Sequence, residues 1–355
     1  MAGGPMPPPH AGDVPRKARR GMQVLLEGAQ AQTGQSPKEI IWSKNKARLY
    51  RYVGTAEQRF ATPIVLVYAL INRPYVLDLL PGNSFVEYLV RQGFDVFLLD
   101  WGAPGDEDSQ LAFDEYILDY LAVAVRKALR AARASDFTLF GYCMGGTMAA
   151  MYAALFPEKP LRNLVLLTSP IDFTPASSGL LGLMTSEQHL DADRIVATFG
   201  NVPPELIDLS TKMLRPVANY VGSYVTMWDR INHDQPMDTW LAINKWVNDG
   251  IPFAGAAFRQ WIHDFYQRNA LVRAELQVRG RQVDPANITC PLLAIAGRKD
   301  HICTLSQAEA IMRVVASPDK ELLVLDAGHV GLLTGSEAKT QLWPKVRGWL
   351  APRSK

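Results

Sequence analysis

Three residues in this chain have the types and order needed for nucleophilic acyl transfer: Cys143, Asp300 and His329. Cys143 lies in Gly141-Tyr142-Cys143-Met144-Gly145-Gly146, which matches G-x-C-x-G, a nucleophile-elbow pattern with cysteine in the serine position. An apolar run precedes it and a small-residue helical segment follows. A strand-to-helix turn that sharp leaves no room for side chains at 141 or 145, and it lifts the sulfur above the sheet. The helix starting there points its N–H groups toward the sulfur. Taken alone, Cys143 could equally be a small buried hydrophobe; the strand and helix around it favour the elbow.

In such a site the chain order is nucleophile, acid, base. Six histidines are present, His10, His189, His233, His263, His301 and His329, and only the last two follow predicted strands. His329, flanked by Gly328 and Val330-Gly331, is assigned as general base. Asp300 is assigned as the acid that orients it; its bland alternative is a loop Asp capping the next helix. Asp326 is a rival too close to His329 and to a strand end, and Asp100 could reach only the site edge. Oxyanion stabilisation needs two backbone N–H groups. One is expected from Met144. The other is expected from the loop after the first apolar strand, at Ile71 or Asn72.

These residues need a scaffold that delivers them to one edge. Apolar runs bounded by turn residues predict buried strands at Thr62–Leu70, Phe94–Trp101, Asp136–Tyr142, Leu161–Thr168, Pro291–Ala296 and Glu321–Leu325. Helices are expected at Ser84–Gln92, Phe113–Ala134, Gly146–Phe156, Leu305–Ala316 and Glu337–Leu350, the last kinked by Pro344. The alternation predicts a doubly wound, mostly parallel sheet whose C-terminal edge carries the site, and the elbow on it points to an α/β-hydrolase fold. Residues 171–285 have no good strand run and are rich in aromatics, which predicts an inserted, mainly helical cap. The core is then 21–170 and 286–355, with a disordered tail over 1–20.

The 355 residues carry 37 basic and 35 acidic side chains, a balance without the concentrated basic face of a nucleic-acid binder. Three cysteines do not make a disulfide framework and suit a reducing compartment. No run of 18 apolar residues suggests a transmembrane helix, and the Pro- and Gly-rich start lacks the apolar stretch of a signal peptide. A cytoplasmic protein is expected.

Together these motifs resemble the polyhydroxyalkanoate synthases. The likeness runs over about 35–350. It includes the modified lipase box at Gly141, Cys143, Gly145 and Gly146, Ile71-Asn72-Arg73, Leu77-Asp78, Asp100-Trp101-Gly102, Asp300-His301 and Gly328-His329. The length resembles the catalytic subunit of the two-subunit classes (class III, or class IV). The resemblance implies an acyltransferase that polymerises (R)-3-hydroxyacyl-CoA, releases CoA and grows the polyester as a thioester on Cys143. CoA thioester is then the substrate, and no cofactor or metal is implied. It also implies a second synthase subunit (E-type or R-type), a homodimer or hetero-oligomer, and residence on cytoplasmic polymer granules. In the family the Asp is often held to activate the 3-hydroxyl, which would be Asp300, and His301 would touch the substrate or CoA arm. Met144 departs from the Gln common in related two-subunit enzymes, but its backbone N–H is unaffected. Cysteine suits the substrate, since thiol and thioester exchange readily and the acyl group stays activated. A dry, aromatic-lined site would keep water from it. A cysteine hydrolase or thioesterase of the same fold would use the same residues and differ only in product.

Overall fold

The computed structural model describes residues 19–22, 31–54, 57, 60–216, 222–232 and 237–355. The expected tail therefore lies almost wholly outside the described residues, as do His10 and His233.

The predicted apolar runs form the centre of an eight-stranded sheet: β3 (Ile64–Val67), β4 (Val96–Asp100), β5 (Phe137–Tyr142), β6 (Leu161–Leu167), β7 (Leu292–Gly297) and β8 (Lys320–Leu325). The order is β1-β2-β4-β3-β5-β6-β7-β8, and every pair from β4 onward is parallel. A strand covered on both faces must be apolar at consecutive positions. All four side chains of β3 are fully buried, each worth roughly 1.5–3 kcal/mol of apolar burial. Two strands escaped the sequence patterns: β1 (Lys38–Lys44) and β2 (Ala47–Tyr52), an antiparallel edge hairpin. The charged residues of β1 face solvent and it contains no buried residue, whereas Arg51 of β2 is half-buried and pairs with the buried Asp95 at 2.9 Å.

Helix boundaries follow local chemistry. In α1 (Phe85–Arg91), the Ser84 hydroxyl accepts from the Glu87 N–H, as an N-cap should. The long Ala-rich segment becomes α2 (Ala122–Ala132) preceded by a wider turn at Tyr116–Leu121. Every residue of α3 (Met144–Leu155) is buried, which explains its run of small side chains.

Strand register determines what meets at the sheet edge. Val67 pairs with both Leu99 and Gly141, Tyr142 with Leu167, Leu167 with Ile295, and Gly297 with Leu325. The chain therefore leaves β3, β5, β6, β7 and β8 at one edge, which brings together the segments after Val67, Tyr142, Leu167, Gly297 and Leu325.

Between β6 and β7 the chain leaves the sheet. It runs through α4 (Pro175–Met184), α5 (Ala192–Phe199), α6 (Pro204–Lys212), α7 (Ser223–Asn232), α8 (Asp238–Val247) and α9 (Gly255–Gln260). Met227, Ile231 and Met237 form a small apolar cluster of their own there. Short strands at Gln277–Val278 and Arg281–Gln282 close the excursion.

Candidate active site

The turn after β5 is as tight as the glycines imply. Cys143 has φ 56° and ψ −132°, a left-handed conformation unusual for a side-chain-bearing residue. A Cβ at Gly141 would lie 2.3 Å from the Gly146 Cα, and one at Gly145 would lie 2.4 Å from the Val67 carbonyl oxygen. The strained residue is held by the Cys143 N–H donating to the Leu167 carbonyl at 3.0 Å, while its own carbonyl accepts from Gly146 at 2.8 Å. Met144 opens α3, so its N–H has no acceptor one helical turn earlier.

Asp300 and His329 arrive on the loops after β7 and β8. His329 Nδ1 lies 2.7 Å from Asp300 Oδ2, and both residues are buried. The other carboxylate oxygen, Oδ1, accepts from the N–H groups of Ile302 (2.9 Å) and Cys303 (3.0 Å). The Thr168 hydroxyl donates to Asp300 Oδ2 and lies 3.1 Å from His329 Nδ1. Behind the ring, the Tyr142 hydroxyl donates to the His329 carbonyl at 3.2 Å. Asp326 is not in this group: it pairs with Lys299 at 2.7 Å, both side chains exposed. Asp100 receives the Gly102 N–H at 3.0 Å instead.

The electrostatics follow from burial and charge. Burial pushes the Asp300 carboxyl up, but the His329 charge and the bonds from His329, Thr168 and the Cys303 N–H hold it below the usual carboxylate range. Burial pulls the His329 imidazole down. The negative charges of Asp300 and Cys143, with hydrogen bonds to both, overcome this and push it up to about 10. Burial, then the Asp300 and Cys143 charges, keep Cys303 a thiol, and burial pushes Cys290 up to about 11. Burial, then the Arg215 charge, lowers His301.

A cavity of about 820 Å³ opens over these groups. Tyr68, Cys143 and His329 floor it, and Ile207, Trp240 and Trp246 from the helical excursion wall it. Ile71, Asn72 and His301 also border it, whereas Asp300 and Thr168 do not. The His301 Nδ1 is buried with no hydrogen-bond partner among the described residues. The Ile71–Asn72 loop is tied to the segment after α8. The Ile71 carbonyl accepts from the Ile251 N–H at 3.2 Å, Asn72 bridges Gly250, and Trp246 Nε1 donates to the Arg73 carbonyl at 2.9 Å.

The structure thus brings Cys143, His329 and Asp300 to one place, with Met144, Ile71, Asn72 and His301 around them. The residue that sequence reasoning passed over is Thr168. In the string it is only the polar end of an apolar run, and nothing there reveals its φ of 44° or where its hydroxyl points. Among the described residues no His/Cys/Asp/Glu group could hold a metal ion, and no helix is long and apolar enough to cross a membrane.

Known proteins resemble this chain in sequence and in fold. A family model for the alpha/beta hydrolase fold matches residues 62–336, and one for the poly-beta-hydroxybutyrate polymerase (PhaC) N-terminus matches residues 29–89. The chain is 36% identical over 344 residues to the poly(3-hydroxyalkanoate) polymerase subunit PhaC of Allochromatium vinosum, covering 96% of each chain. It is 38% identical over 326 residues to the subunit of the same name from Haloferax mediterranei, covering 92% of this chain and 66% of that one. Among solved structures, a metagenome-derived lipolytic enzyme from a study of LipS and LipT superposes with TM-score 0.51 at 15% identity, over 83% of this chain and 96% of its own. An esterase from Thermogutta terrifontis gives 0.50 at 16%, over 91% and 100%. These two show the fold, and the polymerases show the family. A parallel sheet that gathers a cysteine elbow and a buried Asp–His pair at one edge is therefore an α/β-hydrolase fold, and this chain belongs to the poly(3-hydroxyalkanoate) polymerase subunit PhaC family.

Proposed function

We propose that the protein is the catalytic subunit of a polyhydroxyalkanoate synthase, polymerising (R)-3-hydroxyacyl-CoA, of which 3-hydroxybutyryl-CoA is the expected form, with release of CoA. The observation that carries the reading is the buried Asp300–His329 pair at 2.7 Å beside the strained Cys143, under a cavity walled by tryptophans.

In this reading His329 takes the Cys143 proton and the sulfur attacks the thioester carbonyl. The oxyanion accepts from the Met144 N–H and from an N–H of Ile71 or Asn72. The tetrahedral adduct collapses, the C–S bond to CoA breaks, and His329 protonates the leaving thiolate. A 3-hydroxyl then attacks the acyl-Cys143 thioester. His329 takes the hydroxyl proton, an ester forms, and the Cys143 sulfur is released. Asp300 accepts four donors and does not border the cavity. That saturation supports giving both proton transfers to His329 and leaving Asp300 to orient it. His301 borders the cavity, which supports a contact with the substrate or its CoA arm.

Residues 171–285 act in this reading as a cap that keeps water from the thioester. A second subunit (E-type or R-type) meets the enzyme on that side. The exposed Leu183, Leu209, Met213 and Trp228 of the helical excursion support such a contact. Work at the surface of cytoplasmic polymer granules follows from the reaction's product.

The test is incubation of the purified protein with 3-hydroxybutyryl-CoA, with and without the partner subunit, with thiol and polymer measured separately. Both are expected to rise, and Cys143→Ala is expected to produce neither while keeping its circular dichroism. Undiminished thiol release by that variant would remove Cys143 from the mechanism. Thiol accompanied only by monomeric acid would favour a cysteine hydrolase.

A further inference from the structure

We infer that Thr168 is a positioning residue for the reaction: its hydroxyl fixes the Asp300 carboxylate and limits how strongly that carboxylate holds the His329 proton. The inference rests on the function proposed above, with Cys143 and His329 in their assigned roles.

The geometry is specific. Thr168 directly follows β6 and is fully buried, with φ 44°. A β-branched residue is poorly suited to that left-handed backbone, which glycine or asparagine adopts more easily. The backbone is nevertheless held there: the Thr168 N–H donates to the Ile295 carbonyl at 2.7 Å, and the preceding Leu167 carbonyl receives the Cys143 N–H at 3.0 Å. The strained turn thus lies between the elbow and β7. It aims the hydroxyl at Asp300 Oδ2, the oxygen that faces His329, within 3.1 Å of the ring nitrogen. Oδ1 is already occupied by the Ile302 and Cys303 N–H groups.

A hydroxyl donating to Oδ2 spreads the carboxylate charge and weakens its pull on the imidazolium. That matters in the second half of the cycle, where His329 must be neutral to take a proton from the attacking hydroxyl. Groups facing His329 are the carboxylate of Asp300, the sulfur of Cys143, and the phenol of Tyr142, whose ring centroid is 5.3 Å from its own. His301 adjoins Asp300 in the chain and feels both its charge and that of His329.

The test uses the full-length protein with Cys143 alkylated, and follows His329 by NMR as pH is raised. In Thr168→Val the titration midpoint is expected to rise by about one pH unit, and in Thr168→Ser to stay at the native value. In unalkylated protein, the acid limb of kcat for CoA release should move up with it in Thr168→Val, with KM little changed. Thr168→Ala, which lacks both hydroxyl and branch, should behave like Val and serves if the Val protein does not fold. An unmoved His329 midpoint in the Val and Ala proteins, or equal loss of activity in Ser and Val, would overturn the inference. The NMR measurement needs no substrate, so a protein that releases no CoA would sink the proposed function and leave the Thr168 result readable.

Discussion

At the scale of the residue, the site is a balance of three charges, and pH exposes it. His329 is raised above its unfolded value near 6.5, up to about 10. Its contribution to stability is therefore fully present below the unfolded value and is lost as pH climbs through the folded one. Thermal melting from pH 6 to 10.5 should show the native protein losing stability toward the alkaline end, and His329→Gln losing less. Part of the elevation comes from the Cys143 charge, so Cys143→Ala should lower the His329 midpoint measured by NMR. Asp300→Asn keeps the size of the side chain but removes the charge. A loss of about 10⁴ in kcat is expected from the misoriented base, measured as CoA release. The types of these three residues were legible in the string because acyl transfer asks for them, and their order because this fold sets which loop each would occupy. Thr168 was not, because its part depends on one backbone angle that no local pattern encodes.

At the scale of the element, the two glycines after Met144 set the packing of α3 on the sheet. A Cβ at Gly146 would lie 1.7 Å from the Ser169 hydroxyl oxygen, so Gly146→Ala should destabilise by about 1–3 kcal/mol in denaturant titrations. Ser169→Gly in the same chain should restore part of that loss, because the obstruction is mainly one side chain. Motif residues away from the elbow prove to be braces. Asp78 is buried and accepts from the Ser36 hydroxyl at 2.5 Å and the Ser84 hydroxyl at 2.7 Å. Trp101 Nε1 donates to the Tyr68 carbonyl at 2.8 Å, just ahead of the Ile71–Asn72 loop. Trp101→Phe leaves that carbonyl unpaired and should cost about 1–3 kcal/mol in stability, with a fall in kcat for CoA release. The buried strands were readable because a doubly covered strand has no polar face to disguise it. The β1–β2 hairpin was not, since β1 (KEIIWSK) buries no residue, does not alternate and carries a register shift between Ile40 and Trp42, and neither was the wider turn at Tyr116–Leu121, whose side chains are ordinary helix residues.

At the scale of the whole molecule, the loops at the sheet edge carry Cys143, Asp300 and His329, and the helical excursion walls the cavity above them. In the string the excursion shows as a change from strand–helix alternation to an aromatic stretch, and among the described residues its only strands are the short ones at Gln277–Val278 and Arg281–Gln282. What that stretch grips was not visible, because the contacts at Ile251, Gly250 and Trp246 are made largely by backbone atoms or by one indole N–H. Those contacts have a consequence for how the machine is tuned. The walls are tied to the carbonyls of Ile71 and Arg73, on the loop whose N–H groups are expected to catch the oxyanion, so a shift of the walls is expected to reach that loop. On the function proposed above, a protein that grips those walls from outside would have a lever on the reaction without reaching Cys143. Trp246→Phe removes one of those ties, and faster deuterium exchange at the Ile251 amide together with a lower kcat would show the lever at work.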